Sequence, residues 1–431
     1  MAELIDEKKD QIFLCRYRAE KLIFSCGGDK IEMDPSNIMS IEKLDYYEYN
    51  IRTILKLRLR MDIRRKFWIM KNKREITAKF ELVKLGQTKE IEEMICGPEE
   101  CWNLDFSIRL NDDDESTDVT AMFSSMEKNE GDDFNEDELE TEDYFASQNL
   151  VDIYLFDDKL LKASMKKYNE VITSGTIQNT IARILTKTGH KKVLMSRVEN
   201  TEVYQELLIP YHEAYKCIAY LDQYYGIYKK GTIVYYDIDK LYIINPNGKV
   251  TAKEEEEWVD TVFLITKRDG SIPGNAMIRK PGEKIFYINI TEENLNMNVP
   301  SATKNEQIGA SARIVVADGT SDGLIESDAD FVNSKNEMIR YVREADNKYT
   351  GDILKARMEE NNCIVYIDGD NFDMNAFALN KTYKLVFEDE GKQKKYGKFK
   401  FRLSYAYHLI RLETEGYMIS SHRIVLKKVS S

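Results

Sequence analysis

The densest set of oxygen ligands in the chain is the string Asp368-Gly369-Asp370-Asn371-Phe372-Asp373, and its chemistry would be cation binding. A calcium loop of the helix-loop-helix kind wants oxygen at its fifth position, glycine at its sixth and a bidentate glutamate at its twelfth. Here those places hold Phe372, Asp373 and Leu379, so the string reads as a turn between strands. The four histidines, 190, 212, 408 and 422, include no i, i+4 pair and no His-Glu-x-x-His string. His408 and His422 fall in or beside predicted strands, where half-exposed structural histidines are expected. No Gly-x-x-x-x-Gly-Lys-Ser/Thr loop and no Gly-x-Ser-x-Gly elbow occurs. Cysteines at 15, 26, 96, 101, 217 and 363 form no Cys-x-x-Cys pair, which predicts reduced buried thiols in a protein made in a reducing cytosol. With 75 acidic residues, carboxylate pairs exist by number alone. The residues assign no catalytic group, no cofactor and no metal, and the chain reads as a non-enzyme.

Two basic strings carry more information. Leu55-Lys56-Leu57-Arg58-Leu59-Arg60 and Lys398-Phe399-Lys400-Phe401-Arg402-Leu403 both alternate apolar with basic at period 2. That is a strand with one face in a core and one cationic face. As a helix, the same string would scatter its apolar residues around the whole surface. Lys56, Arg58, Arg60, Lys398, Lys400 and Arg402 are therefore the candidate functional residues. Two roles stay open: solvating the outside of a sheet, or meeting a polyanion or an acidic partner.

The elements that would position them are mostly β. Residues 1–110 suggest strands at Ile12–Arg18, Lys21–Cys26, Thr53–Met61, Ile76–Lys84 and Trp102–Leu110, with turns at Gly27-Gly28-Asp29 and Asp34-Pro35-Ser36-Asn37. Residues 111–143 are acidic: between Asp112 and Asp143 stand fifteen acidic residues and one basic, Lys128. The 431-residue chain has net charge −13, so the remainder is close to neutral. Such a window is expected to be a mobile insertion. Residues 144–260 predict an α/β module. Thr173 or Ser174 caps a helix carrying Ile177, Ile181, Ile184 and Leu185 and ending at Gly189; Pro210 opens a second, Tyr211 to Tyr225, ending at Gly226. Strands Thr232–Tyr236 and Lys240–Ile244 follow, then a turn at Asn245-Pro246-Asn247-Gly248.

Residues 261–360 are a mixed connecting region. Strands are expected at Val259–Thr266, Lys284–Ile290 and Ser311–Val316, a capped helix from Ser334 through Met338, Ile339, Tyr341 and Val342, and another from Thr350 to Met358. Residues 361–431 return to strands at Cys363–Asp368, Thr382–Phe387, Phe399–His408 and His422–Lys428, with a lysine-rich turn between Gly391 and Gly397. No run of 18 apolar residues predicts a membrane span, and the N-terminus lacks a secretory pattern.

The middle segment carries a resemblance. Ser174-Gly-Thr-Ile-Gln-Asn-Thr-Ile-Ala-Arg-Ile-Leu-Thr-Lys-Thr-Gly189 is followed by Tyr204-Gln205-Glu206, Leu207-Leu208-Ile209-Pro210 and Tyr220-Leu221-Asp222-Gln223-Tyr224-Tyr225-Gly226-Ile227-Tyr228. The hairpin Ile233-Val234-Tyr235-Tyr236-Asp237 and Leu241-Tyr242-Ile243-Ile244 completes it. This resembles the module between the two tube domains of contractile-tail baseplate central hub proteins, of the T-even phage type and of type VI secretion spike proteins. The likeness covers most of residues 1–260 and, more loosely, 361–431. The acidic window departs from it, as does the lack of a spike or lysozyme-like domain, which would make any piercing spike a separate polypeptide.

The resemblance implies an α+β, mainly β fold: two tube-like antiparallel β-barrel domains, 1–110 and 361–431, with an α/β module between them. It implies a homotrimer of pseudo-sixfold symmetry, a structural hub joining the tail tube to a central spike around a lumen for DNA passage. Implied partners are the tail tube protein, the central spike protein, baseplate wedge proteins and the tape-measure protein. The implied place is the virion tail baseplate, assembled in the bacterial host cytoplasm. The six basic residues would then contribute to the ring wall or to inter-domain contacts. Rival readings are a cell-wall hydrolase using a carboxylate pair within 261–360 and a nucleic-acid-binding module built on the basic strands.

Overall fold

The computed structural model describes residues 11–47, 54–72, 75–85, 102–109, 150–158, 160, 165–188, 192–237, 240–246, 260–267, 275–280, 283, 285–298, 310–317, 324–327, 336–342, 347, 349, 352–353, 356, 360, 363–379, 381–414 and 417–429. The acidic window, Gly189 and Gly248 lie outside these residues, as do the loops at Asp318-Gly319 and Asp322-Gly323.

Alternation builds the first sheet. In strand order the chain lays down β1 (Gln11–Phe13), β2 (Arg16–Cys26), β3 (Asp29–Met33), β4 (Ile38–Tyr46) and β5 (Ile54–Arg60). Helix α1 (Ile63–Lys71), β6 (Thr77–Leu85), β7 (Trp102–Arg109) and β8 (Leu150–Asp157) follow. Leu55, Leu57 and Leu59 are fully buried, while Lys56, Arg58 and Arg60 point the other way. Neither β4 nor α1 was expected from the sequence. Asp62 caps α1, its carboxylate accepting from the Arg65 amide at 2.8 Å.

The module contains β9 (Lys167–Thr176), α2 (Ile177–Thr188), β10 (Lys192–Met195), β11 (Val203–Glu213), α3 (Ala214–Tyr225), β12 (Ile233–Asp237) and β13 (Lys240–Ile244). Both expected helix starts are corrected. Thr173 pairs with Glu206 in a β9–β11 ribbon, and the helix begins at Ile177, where the Thr176 hydroxyl accepts from the Asn179 amide. Pro210 lies inside β11, beside a register shift between Ile209 and His212; a proline fits where the strand has no ladder bond to donate. Gly226 ends α3 with φ +72°, as the sequence indicates.

Beyond the module run β14 (Asp260–Thr266), β15 (Ala276–Arg279), β16 (Ile285–Thr291), β17 (Leu295–Asn298), β18 (Ala310–Ala317), β19 (Leu324–Ser327) and β20 (Asn336–Val342). The helix expected after Ser334 is corrected: residues 336–342 are a strand paired in parallel with β18, and the β-propensity of Ile339, Tyr341 and Val342 outweighs the capping pattern. The Ile353 amide bonds the Tyr349 carbonyl, a helical turn at the start of the second expected helix. The chain closes with β21 (Ile364–Asp370), β22 (Tyr383–Phe387), α3's successor α4 (Glu390–Tyr396), β23 (Phe401–Thr414) and β24 (Tyr417–Lys428). Thus the lysine-rich turn is a short helix, capped by Asp389 on the Lys392 amide.

The strands form two circuits, the first closed by pairing all the way round and the second closed only through the chain. In the first, β4, β5, β8, β7, β6, β2, β24 and β23 pair in succession, every pair antiparallel, and β23 returns to β4. In the second, β14 pairs with β22 and β16 in parallel, while β22–β23, β23–β24, β24–β21 and β21–β17 are antiparallel. The chain itself joins β16 to β17 through a 3-10 turn at Glu292–Asn294. The parallel pairs differ from the all-antiparallel expectation. The hairpin β23–β24 belongs to both circuits: its outer half pairs with β4 and β2, its base with β22 and β21.

One hydrophobic core fills both circuits and includes Ile233, Tyr235, Tyr242 and Ile244. A second packs α2, α3, β9 and β11, and takes Tyr236, Leu241 and Ile243 from the other face of the same hairpin. Charged groups are buried where these parts meet. Lys84 of β6 pairs with Asp373 beyond β21 at 2.9 Å. Asp45 receives Lys43 at 2.8 Å and the Tyr235 hydroxyl of the module at 2.8 Å. His408 and His422 sit opposite each other on the shared hairpin, Nδ1 to Nδ1 at 2.7 Å, and His422 Nε2 reaches the Ser420 hydroxyl at 2.8 Å. Both rings are buried, against the half-exposed expectation. Gly369 leaves room for Phe372, whose ring would lie 2.2 Å from a Cβ there.

Two expectations follow for stability. Lys84→Met strands a buried carboxylate and should cost about 3–5 kcal/mol in urea unfolding, with Lys84→Met/Asp373→Leu recovering most of it. Burial first, then Lys43 for His408 and the His408 charge for His422, holds both histidines well below the usual range. The unfolded chain therefore takes up protons first, so this stability is complete above about pH 6.5 and lost as pH falls below it. Between pH 8 and pH 5 the wild type should lose more stability than His408→Leu/His422→Leu; equal losses would show the pair is not the cause.

Candidate functional site

The outward faces of the strands form one polar surface across both circuits. A row Asp368, Arg423, Tyr407, Leu44 crosses β21, β24, β23 and β4. The next, Asp370, Ser421, Leu409, Glu42, Lys56, Tyr154, extends through β5 to β8. Arg411, Ser40, Arg58 and Asp152 make a third. A depression of about 410 Å³ lies on this face over the shared hairpin, lined by Asp368, Asp370, Tyr407, Arg411 and Arg423 among others.

The face is charged but compensated. Arg58 grips Asp152 with two hydrogen bonds, at 2.8 and 3.0 Å. Lys56 lies 3.2 Å from Asp152 and 3.5 Å from Glu42. Tyr407 donates to Glu42 at 3.2 Å, and Arg423 meets Asp368 at 2.9 Å. The Arg58 hydrogen bond, helped by Lys56, holds the Asp152 carboxyl below the usual range despite partial burial. Arg58 and Arg423 are raised by their carboxylates. For Lys56, burial opposes the charge, but Asp152 and Glu42 prevail and raise it. Burial, then Glu42, raises Tyr407.

The six sequence candidates fall into three environments. Lys56, Arg58 and Arg60 share the outer face, with Arg60 exposed. Arg402 is buried and bidentate on Glu360, at 2.6 and 3.2 Å. Lys398 and Lys400 precede β23, which starts at Phe401, and lie at the far end of the hairpin. The two alternating strings therefore do not form matched strands. Sequence reasoning missed the acids Glu42, Asp152 and Asp368, because cross-strand register over such separations is not visible in the chain. The one available signal was Leu150-Val151-Asp152-Ile153-Tyr154-Leu155, a strand pattern with a single outward acid. Among the described residues no cluster of His, Cys, Asp or Glu could hold a metal ion. Two acids of the calcium-like string face cations instead, Asp368 facing Arg423 and Asp373 facing Lys84.

Compensation predicts weak adhesion to polyanions. Glu42→Gln/Asp152→Asn should cost under about 1 kcal/mol for each exposed pair lost. It should also raise nonspecific duplex DNA binding, with a salt dependence that the wild type lacks, read by fluorescence anisotropy.

No curated protein sequence matches the chain. Several solved structures are similar to it. A tail protein from Neisseria meningitidis MC58 has TM-score 0.48 and 8% identity, covering 95% of this chain and 96% of that one. The 43 kDa tail protein of prophage MuSo2 from Shewanella oneidensis has TM-score 0.45 and 8% identity, covering 94% and 96%. A Francisella PdpA-VgrG complex has TM-score 0.47 and 8% identity, covering 96% of this chain and 53% of that one. In sequence, residues 46–429 match one family along nearly their whole length: the chain belongs to the bacteriophage PBS1 gene 109 protein family.

Proposed function

We propose that this phage protein is a structural tail component, the central hub of a baseplate. Three copies would form a ring of pseudo-sixfold symmetry that joins the tail tube to a central spike. The observation that carries this reading is the single polar face shared by two strand circuits on one chain, joined by the hairpin common to both. Each circuit would supply one wall segment, and three chains would supply six. Closing the first circuit leaves no free edge within it, which suits a wall that must not aggregate. Pairing Lys56, Arg58 and Arg423 with Glu42, Asp152 and Asp368 lowers the net potential of the face, which suits a lumen passing DNA without holding it.

In this reading Lys56, Arg58 and Arg60 stand on the lumen side, while Lys398, Lys400 and Arg402 lie at a subunit or domain contact. The tail tube protein, spike, wedge and tape-measure proteins are the expected partners. The place is the virion baseplate, with assembly in the host cytoplasm, and the role needs no catalytic step. Light scattering of the purified protein should give a mass near three times 50.3 kDa. A strict monomer at high concentration, together with absence of the chain from purified virions by mass spectrometry, would overturn the proposal.

A further inference from the structure

A second basic surface lies at the base of the shared hairpin, and it is built differently. Helix α4 presents Lys394 and Lys395 in its last turn, Lys398 and Lys400 follow, and Lys428 ends β24. The Lys398 and Lys428 ammonium groups stand 5.7 and 4.7 Å from the Phe399 ring, and Lys395 stands 5.0 Å from the Tyr396 ring. The two rings are 6.4 Å apart, so these lysines share one ledge. Among the described residues no carboxylate lies within ion-pair distance of these five lysines. Nearby acids are engaged elsewhere: Glu292 with Lys392, and Asp389 with the Lys392 amide.

The opposite charge is carried by the stretch between β7 and β8. The stretch 112–143 holds fifteen acidic residues and one basic, and follows β7 and precedes β8. Leu150 pairs with Arg60, Leu59 pairs with Ile38, and Ser40 pairs with Arg411. The start of β8, which follows this stretch in the chain, is thus level with the tip of β23. From Arg411 to Phe401, at about 3.3 Å per residue, the ledge is about 33 Å away.

We propose that the ledge is the docking surface for the acidic segment 112–143 of a second copy of this chain. The contact rests on the ring reading above: opposite charges at opposite ends make a head-to-tail interface, which closes into a ring when the rotation allows. A polypeptide acid fits better than nucleic acid. The ledge is all lysine, without the forked arginine that grips phosphate two-handed. Its aromatic faces are already covered by ammonium groups and are not free to stack bases.

The test uses two full-length variants, each checked for unchanged circular dichroism. One carries Lys394→Glu, Lys398→Glu, Lys400→Glu and Lys428→Glu; the other carries amides in place of the acids between Asp112 and Asp143. A synthetic peptide of residues 112–143 should bind the amide variant in a salt-sensitive way. Adding the four lysine changes should weaken that binding at least tenfold. Each variant alone should lose mass by light scattering relative to the wild type, and mixing the two should restore one contact per pair. Absent peptide binding, binding indifferent to the lysines, or a short DNA duplex that outcompetes the peptide would each overturn the proposal. If wild type and both variants all run at three times 50.3 kDa, the ring stands and this contact falls.

Discussion

The structure depends on one hairpin serving two strand circuits. β23 and β24 are 14 and 12 residues long, longer than any strand they meet. Without them β4 and β2 face each other across an open gap, and β22 and β21 do the same in the second circuit. Because the hairpin lies at residues 401–428, closing the first circuit pairs segments that are distant in the chain. The last strands made complete the first ones, which places a large loop-closure cost ahead of the gain from pairing. The register shifts at Leu403/Tyr405 and Leu412/Thr414 let a hairpin of that length bend between the two.

Closure then dictates where polar groups go. Inward positions of a small closed circuit are filled by side chains, and here most are Leu, Ile and Phe. Several polar inward residues sit where the circuits and the module meet and are paired there: Lys84 with Asp373, Lys43 and Tyr235 with Asp45, His408 with His422. A buried pair of this sort adds little net stability, but it penalises any register that separates the partners. The Tyr235 bond also ties the module to the first circuit, because β12 has one face in each core.

Much of this was legible in the sequence. Strands with strict alternation, such as 54–60 and 77–85, appear within a residue or two of expectation, and Lys240–Ile244 agrees at both ends. Local signals failed where a neighbour overrode them. Ser334 to Glu337 spells a helix start, yet a parallel partner strand holds 336–342 extended. Pro210 spells a helix opening, yet the ribbon runs through it. Of the site, one face of β5 was readable; its acids were not, since Asp152 lies far along the chain from Lys56 and Arg58 and only register brings them together.

The two basic strings show why composition along a strand does not fix the chemistry of a surface. Both alternate, and both put apolar residues inward. In β5 the neighbours on either side contribute Glu42 and Asp152, and the cations become part of a compensated face. Around β23 the same alternation begins outside the ladder, so Lys398 and Lys400 meet no neighbouring strand, while Arg402, one residue inside it, is buried on Glu360. A charge on a sheet is defined by the residues across from it. The protein accordingly has one face whose cations are mostly matched by acids and, at the base of the same hairpin, a cluster of lysines with no carboxylate within ion-pair distance among the described residues.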